Sequence, residues 1–180
     1  MTWNAFHNRG EILRTVVDAA DERRDGALPM HVTGVLENFK DELDLLSALM
    51  LKWHARLSGN IERELMGQPL DLELAVAQAW RRTSDELPGV RAIMDRYVET
   101  PSDRAMETAL HRANERGWIR LAAAAGVAND ESTAAAAAGR RIELAGRSLE
   151  ALSPAAAPLA AEPALQSASF VDRLRAVLAA

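Results

Sequence analysis

The chain has 180 residues, of which 48% are hydrophobic and only 4% aromatic, and its formal net charge is −5. It contains no cysteine, which excludes disulfides, thiolate zinc sites, iron–sulfur clusters and cysteine nucleophiles. The acidic balance argues against a nucleic acid or an anionic membrane as the principal partner. We therefore expect a domain with an appendage, built on an aliphatic core.

The first predicted helix runs from about Trp3 to Arg24, because its apolar residues recur on one face at helical spacing. Asp25 and Gly26 then form a stop signal, since glycine readily takes the left-handed conformation that closes a helix. Residues 1–7 show no basic region followed by an apolar stretch, so no signal peptide is predicted. The longest uncharged apolar run, residues 121–128, is far shorter than the ~20 residues of a membrane span. The sequence thus predicts a cytoplasmic protein with no membrane contact.

The strongest pattern in the chain is a heptad of apolar residues between positions 32 and 65. Steps of four and three residues keep one face of a helix against its neighbours over several turns. No proline interrupts the pattern, so we expect one unbroken helix about 50 Å long at the centre of a bundle. The heptad positions are Val32, Leu36, Phe39, Leu43, Leu46, Met50, Trp53 and Leu57. Leucines at 45, 49 and 51 lie off this seam, which indicates a second buried side, inside the bundle or against a second copy in a homodimer.

Three shorter helices are predicted to complete the bundle. Asp71 is expected to cap the third helix by accepting the free backbone donors of its first turn. The pair Pro88 and Gly89 should break the chain before a short fourth helix. Ser102 is expected to cap a fifth helix that ends near Gly126.

The composition changes at residue 129. Residues 129–152 are rich in alanine and predict a helical extension, weakened by Gly139 and Gly146. Residues 153–166 resemble a semi-stiff Pro/Ala linker. Residues 167–180 predict a short amphipathic helix whose apolar face is formed by Phe170, Leu174, Val177 and Leu178. An apolar stripe beyond a linker is typical of a motif that docks on another protein, and the alternative is that it caps its own bundle.

Histidine and glutamate residues raise a second hypothesis, a metal site of the ferritin-like or hemerythrin-like kind in the bundle core. His7 and Glu11 lie four residues apart, as do Glu107 and His111, and His54 lies beside the heptad seam. However, the chain contains no Glu-x-x-His and no His-Glu-x-x-His sequence. Because bundle di-iron sites use the first of these motifs, the sequence predicts no metal or other cofactor.

Trp53 and Trp80 lie on apolar stripes and are expected in the core. The alternative is that they line a pocket for a small apolar ligand between helices.

Taken as a whole, the sequence predicts an all-α bundle of about five helices over residues 1–128. It lacks a glycine-rich phosphate loop and a Gly-x-Ser-x-Gly nucleophile elbow. The predicted function is therefore non-enzymatic: an adaptor or regulatory module that binds another protein or a second copy, and no nucleic acid. The preference for arginine over lysine, together with the abundant alanine, indicates a bacterial genome rich in G and C.

Overall fold

A computed structural model describes the backbone of residues 3–152 and the side chains of residues 8–149. Within that range the chain forms seven α-helices and no strand, which confirms the all-α prediction. The helices are α1 (Trp3–Arg23), α2 (Val35–Asn38), α3 (Glu42–Met66), α4 (Leu72–Glu86), α5 (Pro88–Glu99), α6 (Arg104–Ala124) and α7 (Thr133–Leu152). The predicted linker 153–166 and the segment 167–180, with Phe170, Leu174, Val177 and Leu178, lie outside the described residues.

The helix α3 holds the centre of the bundle, as predicted, and contacts α1, α4, α5 and α6. Its heptad residues Leu46, Met50, Trp53 and Leu57 are buried, and the heptad residue Leu43 in its first turn is partly buried. The off-seam residues at 45 and 49 are buried as well, so neighbouring helices of the same chain cover both sides of α3. Leu51 is the exception among the off-seam leucines, with 72% of its surface exposed.

The prediction of one unbroken helix from residue 32 to residue 65 is wrong in its first part. A short helix, α2, ends at Asn38, and the backbone is extended at Phe39 and again at Asp41 before α3 begins. As a result, Leu36, a heptad position, has 75% of its surface exposed. Phe39 lies in the extended segment, and its side chain is buried. The heptad pattern thus predicted burial correctly along α3 but did not predict the turn of the chain between α2 and α3.

Polar groups explain the break. The Asp41 carboxylate accepts a hydrogen bond from the backbone N–H of Asp44 at 2.8 Å, which caps α3 and fixes its first residue. Across the break, Arg9 of α1 donates to the Asn38 carbonyl and pairs with the Asp44 carboxylate at 2.7 Å. The same guanidinium lies 4.1 Å from the centre of the Phe39 ring. These contacts satisfy the backbone groups that a continuous helix would have paired.

Of the two predicted helix caps, one is confirmed and the other is displaced by one residue. Asp71 caps α4 by accepting from the Leu74 backbone N–H at 2.9 Å, as predicted. The cap of α6 is Asp103, which accepts from the Met106 N–H at 2.8 Å, and the prediction of Ser102 is wrong by one residue. The Ser102 hydroxyl donates instead to a glutamate at the start of α3.

The alanine-rich segment forms α7, which packs against α6 and α4 rather than extending away from them. Gly139 and Gly146 make this close packing possible. A Cβ atom at Gly139 would overlap the Trp118 carbonyl group of α6, and one at Gly146 would lie 2.9 Å from the Ala77 carbonyl oxygen of α4. The glycines that lower helix propensity therefore allow the backbone of α7 to approach two neighbours.

Candidate functional site

The two tryptophans singled out by the sequence lie together in the core, as predicted. Trp53 of α3 and Trp80 of α4 are almost fully buried, and their rings meet edge to face with centroids 5.9 Å apart. This is a preferred geometry for aromatic pairs, because the positive edge of one ring faces the negative face of the other. The pair thus fills the interior between α3 and α4.

Two arginines cover the tryptophan pair from the side of α5 and α7. The Arg91 guanidinium lies 5.1 Å from the Trp53 ring and 5.8 Å from the Trp80 ring, and that of Arg147 lies 5.1 Å from Trp80. Asp95 lies between the two cations and pairs with Arg91 at 2.5 Å and with Arg147 at 2.6 Å. The arginines therefore contact indole faces on one side and a shared carboxylate on the other.

Glu143 extends this network to α6. One carboxylate oxygen pairs with Arg147 at 2.8 Å, and the other accepts a hydrogen bond from the Trp118 indole N–H at 2.6 Å. We call Arg91, Asp95, Glu143 and Arg147, which are all partly buried, the charge cluster. It links α5, α6 and α7 beneath the tryptophans of α3 and α4.

The charges of the cluster stabilise one another. Burial by itself raises the pKa of Asp95, but the hydrogen bonds and positive charges of Arg147 and Arg91 outweigh burial and hold that pKa below its ordinary value. Burial lowers the pKa of Arg147, whereas Asp95 and Glu143 raise it by a larger amount, so the guanidinium stays charged. The Asp95 carboxylate is thus ionised, and both carboxylates of the cluster are engaged by an arginine or an indole.

His54 lies at the edge of this network, next to a small cavity. The cavity measures about 20 Å³ and is lined in part by His54, Arg91, Asn114 and Trp118. That volume is enough for about one water molecule. A small apolar ligand therefore does not fit beside the tryptophan pair in this conformation. The cavity is too small to support the hypothesis that Trp53 and Trp80 line a ligand pocket.

The remaining metal-ligand candidates do not converge. Glu11 is exposed and approaches Arg14 at 3.8 Å, while Glu107 and His111 are exposed residues that line a cleft on α6. The side chain of His7 lies outside the described residues. Among side chains 8–149, no group of three or more histidine, aspartate or glutamate residues is arranged to hold a metal ion. The metal hypothesis gains no support from this geometry.

Two apolar grooves open on the surface. The first, the α1/α3 groove, has a volume of about 420 Å³. Its walls include Gly10, Leu13, Ala48, Leu51 and Ala55, with Arg9 and Lys52 at the margin. None of its described lining residues is acidic.

The second, the α4/α7 groove, has a volume of about 570 Å³. Its apolar walls are formed by Leu74, Ala77, Ile142, Ala145 and Leu149, and its margin carries Asp71, Glu73, Arg141 and Ser148. Leu74 remains 44% exposed within it. Exposed apolar grooves of this size are features that helices of other proteins, or other segments of the same chain, bind.

The sequence did not predict the charge cluster. Arg91 with Asp95 and Glu143 with Arg147 are spaced four residues apart on their helices, which is the ordinary pattern of solvated ion pairs. The available signal was their position beside apolar stripes that carry tryptophan. The pattern alone does not distinguish a pair that covers a buried indole from one that faces water.

No protein-family model, curated protein or solved structure matches the chain. Within the described part of the chain, no helix combines the length and the apolar character needed to cross a membrane.

Proposed function

We propose that this chain is a non-enzymatic interaction module that binds an amphipathic helix of another protein in the α1/α3 groove. The observation that carries the proposal is the exposure of Leu51, at 72%, on a helix whose other off-seam leucines are buried. Leu51 stands beside Gly10, Ala48 and Ala55, which are small and leave space along the groove. A protruding leucine next to a furrow of small residues is a surface that a helix covers with its apolar face.

Charge indicates the kind of helix. Arg9 is neutralised by its ion pair with Asp44, but Lys52 forms no ion pair with any of the side chains 8–149. A helix with acidic residues beside its apolar face would place a negative charge near Lys52. We therefore propose an acidic amphipathic helix as the partner, because complementary potentials favour both encounter and register.

The interior supports a binding role over a catalytic one. The carboxylates of the charge cluster are engaged by Arg91, Arg147 and Trp118, and the adjoining cavity has room for about one water molecule. The adjoining cavity is thus too small for a substrate, and the acids of the cluster are engaged in ion pairs and a hydrogen bond. We propose the cytoplasm as the place where the module acts.

The test uses two fluorescein-labelled synthetic peptides with the same helical apolar face, one flanked by glutamate and one by lysine. We expect the acidic peptide to bind at least about tenfold more tightly in fluorescence anisotropy. Leu51→Asp should abolish that binding, and Lys52→Glu should remove the preference for the acidic peptide. The matched control is Leu36→Asp, since Leu36 is equally exposed, at 75%, but does not line the groove.

Two outcomes would overturn the proposal. One is equal binding of both peptides, or equal loss of binding with Leu36→Asp and Leu51→Asp. The other is no binding of either peptide together with self-association in analytical ultracentrifugation that Leu51→Asp abolishes. The second result would assign the groove to a second copy of the chain, as in a homodimer.

A further inference from the structure

We propose that the α4/α7 groove is occupied by the chain's own segment 167–180, bound through Phe170, Leu174, Val177 and Leu178. This contact is intramolecular and does not depend on the α1/α3 groove. Four observations support it: the position of the groove, its length, its charge and the tether between it and the segment.

The position of the groove favours a segment of the same chain. Leu149 lines the groove and lies three residues before α7 ends at Leu152. The 17 residues 153–169 connect that point to Phe170 and span up to about 50 Å when extended. A tether of this length reaches back to the groove easily, and it keeps the segment at an effective concentration of about millimolar. Even a weak contact is then populated within one molecule.

The lengths also agree. The α7 wall of the groove extends from Arg141 to Leu149, eight residue steps, or about 12 Å along a helix. The apolar stripe of the segment extends from Phe170 to Leu178, also eight steps, or about 12 Å as a helix. A helical segment would therefore cover the groove along the whole of this wall.

The charges favour the same pairing. The α4 margin of the groove carries Asp71 and Glu73, and Glu73 forms no ion pair with any of the side chains 8–149. In a helical segment, Arg173 and Arg175 would flank the apolar stripe on its two sides, one helical position from it. In either direction of docking, the stripe thus places one arginine near the acidic α4 margin and the other near Arg141 on the α7 margin. With two acidic residues and one basic residue, the margin as a whole still favours a basic segment. The α1/α3 groove, whose margin is basic, is the poorer match.

The absence of cysteine makes a direct test possible in the full chain. Ala145 lies exposed in the α4/α7 groove, so Ala145→Cys introduces a single thiol there. We expect this thiol to react slowly with a maleimide reagent, and Phe170→Asp to accelerate the reaction by roughly fivefold or more, because labelling follows the open fraction of the site. Glu73→Lys should accelerate it as well. Ser148→Cys provides a second probe position if Ala145→Cys unfolds the protein.

The control is Ala55→Cys in the α1/α3 groove, whose labelling rate should not change with Phe170→Asp. An unchanged rate at both groove positions, 145 and 148, would overturn the proposal. Protection that disappears on dilution would also overturn it, because the segment would then come from a second copy. Neither result depends on whether an acidic peptide binds near Leu51, so the two proposals fail separately.

Discussion

The environment of residue 54 favours a neutral imidazole. Burial lowers the pKa of His54 below its ordinary value of 6.5, and the charges of Arg120 and Arg91 lower it further, while Glu143 acts in the opposite direction. In the unfolded chain the imidazole titrates near its ordinary value. Between the two pKa values the unfolded chain therefore binds more protons than the folded one, and the free energy of unfolding rises with pH.

This difference predicts a pH dependence of stability. The free energy of unfolding should fall as the pH is lowered from 7 through the ordinary pKa of histidine, and it should level off below the folded-state pKa of His54. His54→Gln should flatten this dependence in urea unfolding curves measured between pH 7 and 5. The control is His111→Gln, at an exposed residue, which should keep the wild-type dependence. A wild-type stability that is constant over this range would contradict the prediction.

Single residues also mark the limit of what the sequence predicts. Trp53 and Trp80 could be assigned to the core because apolar periodicity alone implies burial. Arg91 and Arg147 could not, because an arginine beside an apolar stripe faces either water or a neighbouring helix, and only the packing of α5 and α7 decides which. The sequence did not predict the two grooves for a similar reason. Leu51 looked like part of a second buried side until the neighbours of α3 were known.

At the scale of helices, local sequence signals predicted where a helix begins better than they predicted whether a long helix is continuous. Asp71 predicted the start of α4 correctly, and Pro88 marked the break between α4 and α5, because a cap and a proline act through adjacent backbone groups. The helix α5 nevertheless begins at Pro88 itself and not after Gly89. The break between α2 and α3 depends partly on the local cap Asp41, which the heptad pattern concealed, and partly on Arg9, which comes from another helix. Long-range polar contacts of this kind override a heptad.

The packing of α7 gives a prediction about glycine. Gly139→Ala should lower the free energy of unfolding by about 1–3 kcal/mol, because the new methyl group overlaps the backbone of α6 at Trp118. Gly59 is the matched control, since it lies inside α3 and a methyl group added there would meet no atom of another element within 4 Å. Gly59→Ala should raise the free energy of unfolding by about 0.5–1 kcal/mol through helix propensity.

Urea unfolding of the two variants beside the wild type measures both effects. Opposite signs are the expected result. A Gly139→Ala variant that is as stable as Gly59→Ala would mean that α7 does not approach α6 as closely as its backbone indicates.

At the scale of the whole molecule, the helical class and the central helix could be predicted, but the extent of the bundle could not. The sequence predicts that the bundle ends at residue 128, because the alanine-rich segment after it shows only a thin apolar stripe. In the structure, Ala135, Ala138 and Ile142 of that segment are buried, and Glu143 and Arg147 belong to the charge cluster. Small side chains reduce the apolar signal of a helix while allowing closer packing, so the pattern underestimates its contribution.

A pair of fragments tests this point. Residues 1–128 alone should lack cooperative urea unfolding and should bind the dye ANS, because the faces of α4 and α6 that α7 covers are exposed. Residues 1–152 should unfold cooperatively and bind little dye. Cooperative unfolding of the shorter fragment at a similar urea midpoint would restore the boundary at residue 128 and reduce α7 to an attachment.

The place of α7 in chain order has a consequence for biosynthesis. Ribosomes deliver the chain from its first residue onward, so α4 and α6 emerge before the helix that covers them. Until residues 133–152 are available, a nascent chain displays the indole of Trp118 and the alanines of α6 without their cover. The native core therefore forms only after α7 has been translated. If translation stops before α7, the resulting intermediate exposes apolar surface that chaperones would recognise.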